Sequence, residues 1–249
     1  MPSKTGVSWG PLAAILVVVF SYLAAQILGS ALVLLYTHTR HWGVAQANDW
    51  LQNSVAAQFI YVVLSEAITM GVLVLFLRRR KATLHSLGWR RPKWRDGLLA
   101  VIGVGAYFVI FLVTIGVLKA TVHLDVDQQQ DIGFSHVTGA GALILTFVSL
   151  VVLPPLVEET VFRGFLYGGL RKAWGMWGAI VGTSLLFAMP HLLESGNQKL
   201  LWIAGVDTFV LSLVLCYLRE KTGRLWASIG VHALKNGLAF MSLFILHAR

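Results

Sequence analysis

Glu158 and Glu159 stand side by side, one helical turn ahead of Arg163, in a stretch that is otherwise apolar from Leu145 to Tyr167. An ionised group at bilayer depth is costly unless it is paired or faces a wet cavity, so such groups mark function. Residues four apart share a helix face, so Glu159 can pair with Arg163. Glu158 is turned about 100° from Glu159 and away from that pairing. Two further elements follow, Phe187-Ala-Met-Pro-His191 and His232-Ala-Leu-Lys-Asn236, the second placing an imidazole and an amide on one face.

A carboxylate with two histidines and an amide suits hydrolysis by water. Glu158 can take a proton from water, and a histidine can orient that water or protonate the leaving amine. His232 and Asn236 can donate hydrogen bonds to a tetrahedral oxyanion. Each group also has a bland role. Glu159 can simply satisfy Arg163, His191 can cap a helix end beside a carbonyl freed by Pro190, and Asn236 can bridge two helices. The candidate catalytic set is Glu158, Glu159, His191, His232 and Asn236, supported by Arg163 and Phe187. There is no G-x-S-x-G nucleophile elbow and no His-Glu-x-x-His zinc helix. Glu158, His191 and His232 are nonetheless a ligand set suited to a divalent metal such as zinc, so metal-free and metal-assisted routes both stay open.

These residues need helices to hold them. The chain has 249 residues, 57% hydrophobic and 12% charged, with a mean hydropathy of +0.73. Soluble domains carry about twice that charged fraction. Apolar runs near 10–36, 53–77, 97–118, 139–166, 175–193, 200–218 and 225–246 each approach the roughly twenty residues that a span needs. The expected fold is all-α and polytopic, with seven or eight transmembrane helices around a polar intramembrane cavity. An eighth helix would come from a break at Pro154-Pro155. The first run outlasts the core of a signal peptide and is read as a retained helix. No targeting tail or lipidation box is expected at either end.

The formal charge of +9 is unevenly spread: eight of the 20 lysines and arginines lie between Arg78 and Arg95, and others at Arg171-Lys172 and Arg219–Arg224. The loop after the third run carries Asp125, Asp127 and Asp131 instead. The positive-inside rule then sets the N-terminus in the cytoplasm and, with seven spans, the C-terminus outside. Topology and anionic lipids account for the basicity, so no nucleic-acid partner is expected. The single cysteine, Cys216, permits no internal disulfide. Intramembrane polar residues gather in the second half, whereas the first three runs hold only Glu66. Residues 1–135 read as covering helices and 136–249 as the working region. Counting at 1.5 Å per residue from turns near Arg171 and Gly223 brings Glu158, His191 and His232 to overlapping depths. One cavity opening toward the cytoplasm is expected.

The three motifs, Glu-Glu-x-x-x-Arg, Phe-x-x-x-His and His-x-x-x-Asn, in this order on late helices, resemble the CPBP family. That group comprises CAAX proteases and bacteriocin-processing proteins, also called Abi, and includes the type II CAAX prenyl endopeptidases. The likeness covers about 140–245 and includes the approach Leu218-Arg-Glu-Lys-Thr-Gly-Arg-Leu-Trp226. It implies an intramembrane endopeptidase in which Glu158 and His191 activate water while His232 and Asn236 stabilise the oxyanion. It also implies a protein or peptide substrate, which in some members is lipid-modified. Asp207 departs from the small or apolar residue expected there and stays outside the catalytic set. The compact chain suggests a prokaryotic cytoplasmic membrane. Two rival functions remain: an immunity or scaffold protein on the same fold, and a transporter, which the lack of an inverted repeat disfavours.

Overall fold

Backbone buried in lipid must satisfy its own N–H and C=O groups, which is why the apolar runs become helices. A computed structural model describes residues 7–128, 130, 132–134, 137–193 and 200–246; Asp131 lies outside the described residues. The helices are α1 (Pro11–Thr39), α2 (Val44–Asn53), α3 (Val55–Arg79), α4 (Trp94–Val122), α5 (Gly139–Phe147), α6 (Leu153–Glu158), α7 (Tyr167–His191), α8 (Trp202–Thr222) and α9 (Trp226–Phe240). Wider π-helical turns at Val148–Val152 and Glu159–Leu166 join α5 to α6 and α6 to α7, and a third, Met241–Leu246, extends α9. No strand occurs among the described residues.

Six of these helical stretches are long and apolar enough to cross a membrane, one of them the 53-residue run Gly139–His191. At 1.5 Å per residue that run would reach about 80 Å, far beyond one bilayer. It folds back at Gly175, whose φ of 71° and ψ of −174° break the helix. Beyond the bend, the Phe187 ring returns to within 4.9 Å of Phe162. With its two arms counted separately, the six stretches give seven candidate passes among the described residues, close to the seven or eight expected. The protein is an integral membrane protein.

The ends of the bundle differ. At the basic end lie the 80–93 loop, the Gly175 bend and the turn at Gly223. Asp96 holds Arg224 there at 2.8 Å and, by that hydrogen bond, keeps its guanidinium above the ordinary range. Glu220 accepts from Tyr167 at 2.6 Å and pairs with Arg171 at 3.1 Å. Trp226 donates to the Arg90 carbonyl at 2.6 Å. Above these ties sits a close-packed apolar core that includes Trp9, Leu73, Leu87, Phe165, Leu170 and Ile180. At the opposite, acidic end lie α2 and the described residues between α4 and α5 and between α7 and α8.

Candidate active site

The site begins with a proline pair. Pro154 and Pro155 have no N–H, so the carbonyl of Leu150 loses its donor in both α-helical (i+4) and π-helical (i+5) register. The amide of Asn236 supplies the missing bond, its Nδ2 lying 2.9 Å from that carbonyl. The motif on α9 is thereby docked against the helix that carries the glutamates. Asn236 keeps a second amide hydrogen and lines the adjacent cavity.

Glu159 turns inward and is fully buried, as is Arg163. Its Oε1 accepts from Arg163 Nη1 at 2.9 Å and lies 3.0 Å from His232 Nδ1. A carboxylate only accepts, so Nδ1 carries the hydrogen and Nε2 points elsewhere. Nε and Nη2 of Arg163 have no hydrogen-bond partner among the described residues. The guanidinium instead lies 4.2 Å from the centroid of the Phe187 ring, a cation–π contact. Phe187 also meets the rings of His191, at 5.2 Å, and His232, at 6.0 Å. One apolar side chain thus spaces both histidines and covers the cation.

Glu158 turns the other way, into a cavity of about 470 Å³ that it shares with His191, His232 and Asn236. Its Oε2 lies 3.8 Å from His232 Nε2. That separation is too long for a direct hydrogen bond and suits a bridging water. His191 Nδ1 is 3.0 Å from the Phe187 carbonyl, which can only accept, so its Nε2 is left as the acceptor. Asp207 is a helix-to-helix contact on the cavity wall. It pairs with Lys235 at 2.7 Å and accepts from the Tyr107 hydroxyl of α4. Among the described residues, no three His, Cys, Asp or Glu side chains form a group able to hold a metal ion. The set of Glu158, His191 and His232 is therefore not assembled as metal ligands.

Two features were hidden from residue counting. Glu66 of α3 lines a second cavity, of about 270 Å³, whose wall also includes Glu158, Phe187 and His191. The first helices therefore reach the site. The course of the main cavity is the other. Its lining continues through Ala239, Leu243, Phe244 and Ile132, all toward the acidic end. On the basic side the site is floored by packing: Trp89 donates to Thr160 at 3.0 Å, and Thr160, Leu87 and Phe165 are fully buried. Counting from the turns finds the depth of a residue, but only packing decides which side of it is filled.

A family model described as type II CAAX prenyl endopeptidase Rce1-like matches residues 140–238, the segment that holds all three motifs. An uncharacterized 24.3 kDa protein of Escherichia coli is 30% identical over 182 residues, 70% of this chain and 77% of that one. The chain belongs to the Rce1-like family. Other relatives include YyaK of Bacillus subtilis, 26% identical over 81% of this chain and 64% of its own length. Another, named "Putative membrane peptidase YdiL" in the same organism, is 24% identical over 78% of this chain and 76% of its own. No solved structure matches the chain. Membership of the Rce1-like family makes this a chain of the peptidase class, and the matched segment contains Glu158, His191, His232 and Asn236.

Proposed function

We propose that the protein is an intramembrane endopeptidase that hydrolyses a peptide bond of a membrane-tethered polypeptide with water activated by Glu158 and His191. The observation that carries this reading is the meeting of Glu158 Oε2 and His232 Nε2, 3.8 Å apart, in a cavity that His191 and Asn236 also line. Glu158 takes a proton from water as the oxygen attacks the peptide carbonyl, with the acceptor Nε2 of His191 orienting that water. The oxyanion receives hydrogen bonds from the second Asn236 hydrogen and from His232 Nε2. To donate there while Nδ1 donates to Glu159, His232 Nε2 takes up the water's proton from Glu158, 3.8 Å away, and returns it before the C–N bond breaks. The C–N bond then breaks and the proton on Glu158 passes to the departing amine, leaving an acid, an amine and the resting carboxylate. Glu159 and Arg163 act as positioning residues.

On this reading residues 136–249 form the catalytic region and 1–135 its cover, with the N-terminus in the cytoplasm of a prokaryotic cell. The family description supports C-terminal processing of a CAAX type, in which a lipid-modified protein is cut near its end.

The test compares peptide termini across the membrane proteome of cells carrying wild type or Glu158→Gln at matched expression. New termini with wild type alone are expected, and they identify the substrate. Identical maps would favour a non-catalytic scaffold.

A further inference from the structure

We infer that the second cavity, between α1, α3 and the arms of the Gly139–His191 run, is a water site of the reaction: it stores the water that Glu158 and His191 activate, with Glu66 as the positioning residue that holds it. The inference rests on the peptidase reading for the use of that water; the polar character of the cavity does not depend on it.

Two cavities meet at the proposed reacting pair. The larger, of about 470 Å³, and the second, of about 270 Å³, both have Glu158, Phe187 and His191 in their walls. The place assigned to the attacking water, between Glu158 and His191, therefore borders both. A peptide seated in the larger cavity displaces the water there, yet each bond cut consumes one water. The second cavity can replace it from a side that the peptide does not fill.

The second observation is the lining. On the apolar helices α1 and α3 the wall includes Ser21, Gln26, Ser65, Glu66 and Thr69. Glu66 is the one acidic residue of those two helices, and Arg78 of α3 stands about 18 Å further along the axis. The described lining holds no lysine or arginine, and no hydrogen bond or ion pair joins Glu66 to another described residue. Ser65 Oγ is buried and likewise has no partner among the described residues. Gln26 accepts from the Tyr61 hydroxyl at 2.6 Å and keeps both amide hydrogens. Lipid satisfies none of these groups, and a carboxylate at such depth needs a cation or water. Water needs two to four polar partners and a space of about 10–15 Å³, and this cavity supplies both. An apolar chain, whether lipid or substrate, would leave the same groups unsatisfied.

The experiment has an arm that needs no turnover. Full-length Ser65→Cys in detergent is transferred to heavy water, and conversion of its S–H to S–D is followed by infrared difference against wild type, whose one thiol, Cys216, is fully buried. The expected result is exchange of the introduced thiol well ahead of Cys216. Exchange as slow as that of Cys216 would mean a dry cavity and overturn the inference. In the second arm, Glu66→Leu removes the carboxylate and Thr69→Leu fills the space, so that if one variant fails to fold the other decides. Each should lower kcat by about tenfold or more at an unchanged KM, the pattern of an interaction used only in the transition state. Wild-type kcat in folded variants would overturn the inference even if the thiol exchanges fast. Fast exchange in a protein whose wild type cuts nothing would sink the peptidase reading and leave the wet cavity standing.

Discussion

Asn236 Nδ2 donates to the Leu150 carbonyl at 2.9 Å, and that carbonyl is the one that Pro154 and Pro155 both leave without a backbone donor. The bond ties a candidate oxyanion donor to the helix bearing Glu158, so a structural and a chemical duty fall on one amide. They can be separated. Asn236→Ala should destabilise the fold by about 1–3 kcal/mol, the cost of an unsatisfied buried acceptor. Pro154→Ala restores an N–H at the i+4 position, so the double variant should recover thermal stability in detergent. If hydrolysis stays lost in that double variant, Asn236 acts on the reaction; if it returns with stability, its duty was docking alone.

The two adjacent glutamates should fail in different ways. Glu158 faces the cavity with its side chain 29% exposed, so Glu158→Gln should keep the wild-type melting temperature while hydrolysis falls by about 10²–10⁴-fold, the range of a general base. Glu159 is fully buried against Arg163. Glu159→Gln should therefore cost about 3–5 kcal/mol of stability by stranding a buried cation. Thermal melts beside a turnover assay distinguish the two outcomes.

Asp207 and Lys235 are predicted to be coupled. Their ion pair is about one-fifth exposed on each side and shares its carboxylate with Tyr107. Asp207→Asn or Lys235→Gln alone should destabilise more than half as much as both together. The coupling energy should fall in the range of about 0.5–3 kcal/mol seen for contacting residues. A double-mutant cycle on unfolding in detergent measures it, and strict additivity would mean that the pair is only a surface contact.

Gly175→Ala tests the bend. At φ 71° and ψ −174° a Cβ is strained, at a cost of about 1–3 kcal/mol. The bend is what returns Phe187 to Arg163 at 4.2 Å, so this variant should lower both the melting temperature and activity. Gly141→Ala, where φ is ordinary and a Cβ would meet nothing within 4 Å, serves as the control.

Glu66 gives the last prediction. It lines the second cavity beside Glu158 and His191 from α3, a helix packed against α1, α5 and α6. Glu66→Leu should reduce turnover with little change in KM, and Glu66→Asp should restore part of it. Wild-type kinetics in both variants would make Glu66 a bystander.

The local chemistry was legible in the chain. Helical spacing alone separated Glu158 from the Glu159–Arg163 pair, because side chains at i and i+1 leave an α-helix about 100° apart. Hydrophobic length alone required an all-helical membrane fold, because lipid offers no hydrogen bonds to an open backbone. The three motifs were visible for the same reason: polar residues in apolar runs stand out at a cost.

Long-range contact decided the rest. That Glu159 serves His232, 73 residues away, that Asn236 answers Leu150, and that Asp207 joins Lys235 to Tyr107 depend on which helix faces bury one another. So does the course of the cavity. Apolar side chains on either side of Glu158 look alike in the chain, since both lipid and core accept them. Only the packing of Trp9, Leu87 and Phe165 fills one side of the site.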